Sequence, residues 1–219
     1  FQPNINHKYN KAILNTDTLF NCCQVTIYRV ELVMKKILIV SATSGSNLML
    51  ANKISELFEV RNEIITLEDY ELPLYSRKVK LKDQTIIKDL CEKVINVNGF
   101  VFWGPEYNGG SAPILINAIT WISVTTEYWR DAFSDKIGLI ATHSGGNGNS
   151  FLSTFRQQLE FMGVIVYPRS IKVNKSREFN VESSKKIIKR FQKLLWEEIN
   201  MKLRIHGFFC FNFYNYILK

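Results

Sequence analysis

Four cysteines and three histidines are few for a chain of 219 residues, and each shortage removes a class of protein. Cys22, Cys23, Cys91 and Cys210 form no CxxC pair, and chain neighbours such as Cys22 and Cys23 rarely bridge each other. His7, His143 and His206 are scattered, so no metal-ligand spacing exists and no metal site is expected. Cysteines of this kind read as small apolar fillers in a reducing, cytoplasmic setting. No stretch reaches the roughly 18 uninterrupted apolar residues of a membrane span. The first thirty residues lack a compact apolar run ahead of a small-residue cleavage site, so no secretory signal is expected. No block of Lys and Arg is interleaved with aromatics, which argues against a nucleic-acid surface.

What the chain does have is a globular composition, 46% apolar and 22% charged, at a length that suits one domain with a sizeable core. The formal charge is +8; residues 34–200 hold 22 Lys/Arg against 18 Asp/Glu, net +4, and the flanks supply the rest. A mildly basic surface favours small anionic ligands such as phosphorylated cofactors.

Periodic structure begins at about Met34. "KKILIV" (Lys35–Val40) reads as a buried strand, and Leu48, Ala51, Ile54, Leu57 and Phe58 give a helical stripe over 48–58. "EIITLEDY" from Glu63 reads as a second strand and residues 82–97 as a second helix. "GFVFW" (Gly99–Trp103) is a third strand, followed by a loop and a helix that Ser111 can cap and Pro113 can open. "KIGLIAT" (Lys136–Thr142) is a fourth strand, residues 150–162 a helix ending at Gly163, "VIVYP" a fifth strand, and residues 181–199 a last helix. Near-continuous apolar strands alternating with amphipathic helices predict an α/β fold. Its sheet is doubly wound, parallel and five-stranded, in the order 2-1-3-4-5. Ligands of such sheets bind beyond the carboxyl ends of the strands, near the switch between strands 1 and 3. Residues 1–33 and the aromatic tail 201–219 show no sustained period, so the domain is placed at 34–200 and the tail is expected to be poorly ordered.

Three loops should meet at that edge. "SATSGSN" (Ser41–Asn47) offers hydroxyls, backbone N–H groups and a helix amino-terminus, the makings of a phosphate cradle. It is neither GxGxxG nor GK[ST], which argues against a dinucleotide fingerprint and a triphosphatase loop. "GPEYNGGSAPILINAITW" (Gly104–Trp121) follows strand 3; Pro105 and Gly109–Gly110 fix a bent, unobstructed path on which Tyr107 could cover a flat ring and Asn108 could meet its rim. Glu106 has no partner near it in sequence. "THSGGNGN" (Thr142–Asn149) leaves its backbone open around His143.

The segment "PEYNGGSAPILINAITW" closely resembles the PEYN-x-x-x-P-x-x-x-x-NAI-x-W signature of the NADPH-dependent FMN reductase family, over about residues 34–200. The resemblance implies a flavodoxin-like fold, bound FMN, NADPH or NADH as co-substrate, and a homodimer or homotetramer. It implies that Ser41, Thr43, Ser44, Ser46 and Asn47 hold the FMN phosphate. Pro105, Glu106, Tyr107 and Asn108 would line the isoalloxazine ring, and His143, Ser144, Gly145 and Gly146 would flank its other edge. Many members carry an arginine in a longer first loop; "SATSGSN" has none. The activity implied is hydride transfer from reduced nicotinamide to flavin and onward to a small-molecule acceptor, such as a quinone, azo compound, free flavin or metal oxyanion. No side chain is expected to be indispensable as acid or base. The rivals are a flavodoxin-type electron carrier, which the +4 core argues against, and a flavin-free interaction module.

Overall fold

The computed structural model describes residues 36–81, 83–195 and 197. The expectations for 1–33 and 201–219 lie outside those residues.

The sheet is parallel, with four main strands and two short ones beside the last of them. β1 (Lys36–Ser41) pairs with β2 (Arg61–Thr66) on one side and with β3 (Gly99–Trp103) on the other. β6 (Ile137–His143) continues from β3. This is the flavodoxin-like order expected from the alternating pattern. A separate two-stranded ribbon, β4 (Glu106–Tyr107) with β5 (Gly110–Ser111), folds the second loop back on itself.

Both faces of the sheet are covered, and the strand residues divide between them with period two. Leu38, Val40, Phe100 and Phe102 point into a core built with α2 (Thr85–Ile95), α3 (Pro113–Thr125) and α4 (Asn149–Phe161). Ile37, Ile39, Val101 and Trp103 point to the other face, against α1 (Ser46–Ser55) and α5 (residues 181–195). Cys91 is the apolar filler expected of it: it lies buried in the first core, where burial pushes its thiol up to about 11.

Three local expectations need correction. The strand expected to run through "EIITLEDY" ends at Thr66, and Leu67–Tyr70 form a 3-10 turn. Leu67 and Tyr70 are both buried and three apart; a strand would send them to opposite faces, whereas a 3-10 turn stacks them on one. The fifth strand is two pieces, β7 (Ile165–Val166) against the start of β6 and β8 (Ile171–Val173) against its end. Pro168, which has no N–H for the ladder, lies between them. Ser111 does not cap α3: the cap position is Ala112 and Ser111 is in β5, while Pro113 does open the helix.

At the β2 edge, Glu63 lies between Lys36 and Lys93, the latter at 2.6 Å. Hydrogen bonds from Lys36 and then Lys93 hold its carboxyl below the usual carboxylate range. A carboxyl lowered in the fold contributes stability above its unfolded pKa, and that contribution is lost as pH falls through the folded value. Glu63→Gln is therefore expected to cost about 1 kcal/mol at neutral pH, given the partial exposure of all three groups. Urea denaturation at neutral pH and again near full carboxyl protonation checks this; an equal gap at both would refute the ion-pair origin.

Candidate functional site

The first loop leaves β1 at Ser41, the second leaves β3 at Trp103 and the third leaves β6 at His143, all at the carboxyl edge. Sheet register puts them side by side, since Ser41 pairs with Trp103 and Trp103 with Ala141. Just beyond the strands, Ala42 N–H donates to Trp103 O (2.7 Å) and Gly104 N–H to Ala141 O (3.1 Å).

Several residues expected to touch a ligand are occupied in tying these loops together. The buried Asn47 amide accepts from His143 N–H (2.9 Å) and donates to His143 O (3.3 Å), joining the first loop to the third. Ser144, also buried, accepts from Glu106 N–H (2.8 Å) and lies 2.8 Å from Thr142 Oγ1, joining the third loop to the second. The Glu106 carboxylate accepts from Phe151 N–H (3.0 Å) in the first turn of α4, where the helix dipole favours a negative charge. Sequence offered Glu106 no partner; the fold supplies one 45 residues away. Ser41, fully buried, donates its hydroxyl to Thr43 O (2.7 Å), and Pro105 is buried.

The rest face outward. Ser44, Gly45 and Ser46 are exposed on the first loop, with Thr43 and His143 partly buried. Tyr107 is half exposed and Asn108 exposed with φ 50°, a conformation asparagine tolerates better than most residues. Gly145 and Gly146 are exposed, and a Cβ at either would meet nothing within 4 Å. Their φ values are not positive, so neither backbone strain nor internal crowding asks for glycine there. Asn174 Nδ2 donates to Gly146 O (3.0 Å) and ties the loop to the residue that follows Val173.

Ser44 has a neighbour that sequence reasoning missed. Its N–H (2.7 Å) and its hydroxyl both donate to one carboxylate oxygen of Glu68, in the 3-10 turn after β2. These bonds hold the Glu68 carboxyl below its ordinary range. The only signal in the sequence was strand order: a segment following strand 2 must emerge beside the loop following strand 1. Asn117 and Trp121 are the Asn and Trp of the signature. Asn117 accepts from Tyr75 N–H (2.8 Å) and donates to Pro73 O (3.0 Å), and Trp121 Nε1 donates to Pro73 O (2.7 Å). They pin the 72–75 segment on α3 and leave Leu74 exposed.

A groove of about 750 Å³ runs elsewhere, along β2 between α1 and α2. Its lining includes Glu63, Asp69 and Asp89 against Lys93, an acidic balance unsuited to a phosphate. Among the described residues no group of three or more His, Cys, Asp or Glu could hold a metal ion, and no helix is long and apolar enough to cross a membrane.

Fold and loops together define a flavodoxin-like α/β protein. The chain belongs to the NADPH-dependent FMN reductase family, whose pattern matches residues 34–178. No match was found among curated proteins. Among solved structures, the chain is similar to FerB, a flavoenzyme NAD(P)H:(acceptor) oxidoreductase from Paracoccus denitrificans, at 18% identity and TM-score 0.56, covering 76% of this chain and 96% of that one. It is similar to an NADH:FMN oxidoreductase (EmoB, apo form) at 17% identity and TM-score 0.57, covering 72% and 88%. It is also similar to a flavodoxin from the domain Archaea at 11% identity and TM-score 0.51, covering 74% and 98%.

Proposed function

We propose that this protein is an FMN-dependent NAD(P)H oxidoreductase that passes reducing equivalents from NADPH or NADH to a quinone, azo compound, free flavin or metal oxyanion. The observation that carries this reading is the bundle of three loops at the switch point, tied by Asn47, Glu106 and Ser144, with uncrowded glycines outside the ties. The residues fit the cofactor. Ser44 already donates twice to an anion, the Glu68 carboxylate, so its donor set suits a phosphate. Gly145 and Gly146 give room that the protein itself does not use.

When bound, FMN would supply the hydride and electron transfer that side chains cannot. The chain's own part is binding and orientation. Thr43, Ser44 and Ser46 would hold the phosphate, with Ser41 and Asn47 shaping the loop from inside. Tyr107 would cover the ring, Asn108 would meet its rim, and Gly145 and Gly146 would admit its edge beside His143. Pro105, Glu106 and Ser144 would set the path of the second and third loops. No side-chain acid or base is assigned. The assembly is proposed as a cytoplasmic homodimer or homotetramer; a monomer in sedimentation would refute that part.

The test is the purified protein's visible spectrum, followed by anaerobic addition of NADPH or NADH. Bleaching of bound flavin by either supports an oxidoreductase; bleaching by dithionite alone supports an electron carrier; no retained or added flavin refutes the cofactor. Nicotinamide and acceptor are proposed to share one exposed face of the ring, because the third loop is too rich in glycine to wall it off, so they should exclude each other. Steady-state rates with a quinone, both substrates varied, should give parallel double-reciprocal lines. Intersecting lines would mean that both bind together.

A further inference from the structure

We propose that Glu68 is a built-in occupant of the phosphate seat and sets how strongly this site prefers FMN over riboflavin. The inference rests on the flavin-binding reading above and concerns one residue which that reading does not need. Ser44 presents two donors, its N–H and its hydroxyl, and the same Glu68 oxygen takes both. The first loop contains no lysine or arginine to offset a second anion. A phosphate reaching Ser44 must therefore displace a carboxylate already bonded there, and must then share a small exposed region with it.

Both effects act against the phosphate and neither acts against a neutral flavin. Displacement returns two charge-assisted bonds that the incoming phosphate must replace. Like charges left within a few ångströms disfavour one another, and partial exposure weakens this without abolishing it. Glu68 can move, because it is exposed, sits in a single 3-10 turn and has no partner besides Ser44 among the described hydrogen bonds and ion pairs. Its neighbours Leu67 and Tyr70 are buried, so the turn itself stays anchored while the side chain swings.

The experiment titrates FMN and riboflavin, by flavin fluorescence, into the wild-type protein, Glu68→Gln and Glu68→Ala. Glutamine keeps the size and can still accept from Ser44, so it isolates the charge; alanine removes the latch as well. Both variants should bind FMN about tenfold or more tightly than wild type, a gain of about 1.4 kcal/mol. Riboflavin affinity should stay within about twofold, since it lacks the group that competes. Unchanged or weakened FMN binding in both variants would overturn the proposal and make Glu68 a support for the loop instead. If no form binds either flavin, the cofactor reading is what fails. Inorganic phosphate, followed by the Ser44 amide resonance, then still decides the seat: tighter binding in Glu68→Gln supports it, and no change overturns it.

Discussion

Gly146→Val is expected to weaken FMN binding by roughly a hundredfold, about 2.7 kcal/mol, while leaving the melting temperature nearly unchanged. A Cβ at Gly146 meets nothing within 4 Å and the backbone has no positive φ, so the folded chain has room for the larger side chain. The bond from Asn174 reaches the Gly146 carbonyl, which the substitution keeps. What valine would fill is the space outside the third loop, where the ring edge is proposed to lie. Isothermal titration with FMN and a thermal melt of the same sample separate the two effects. Undiminished FMN affinity would remove the third loop from the site. A large fall in melting temperature would mean that the fold itself needs glycine there.

Phe151→Ala should produce the largest loss of stability, about 3–5 kcal/mol, and lower the melting temperature by on the order of 10 °C. Phe151 is completely buried, stacked on Phe155 with ring centroids 5.3 Å apart, and its ring tip fills the space above Gly104. A Cβ on Gly104 would stand 2.9 Å from that tip, so ring and glycine are fitted to each other where the second loop begins. Removing the ring opens a cavity directly beneath the loop that carries Tyr107 and Asn108. Chemical denaturation followed by tryptophan fluorescence measures the loss; a value below about 1 kcal/mol would show that the site collapses around the missing ring.

The Glu106 carboxylate, which accepts from Phe151 N–H, ties the second loop to the same residue. One residue supports the second loop through its ring while its backbone receives that loop's carboxylate. Stability of α4 and placement of the proposed ring-binding residues therefore share a single contact region.

Sequence by itself determined the alternation of apolar strands with amphipathic helices, and through it a doubly wound parallel sheet and the edge where the loops gather. It also determined the second-loop signature and the positions of the glycines, because period and turn chemistry are local properties of the chain. Tertiary structure alone decided which polar side chains remain free. Ser41, Ser44, Asn47, Glu106 and Ser144 look from sequence as open as Ser46, yet the first five are taken up, Ser44 by Glu68 and the others within or between loops. The choice depends on which backbone groups the sheet register brings within hydrogen-bond reach, and those lie up to 96 residues away. The same reason hid Glu68. Nothing local marks its carboxylate as the partner of Ser44; only β2 lying beside β1, and the chain turning at Leu67 to bury Tyr70, sets that charge on the first loop.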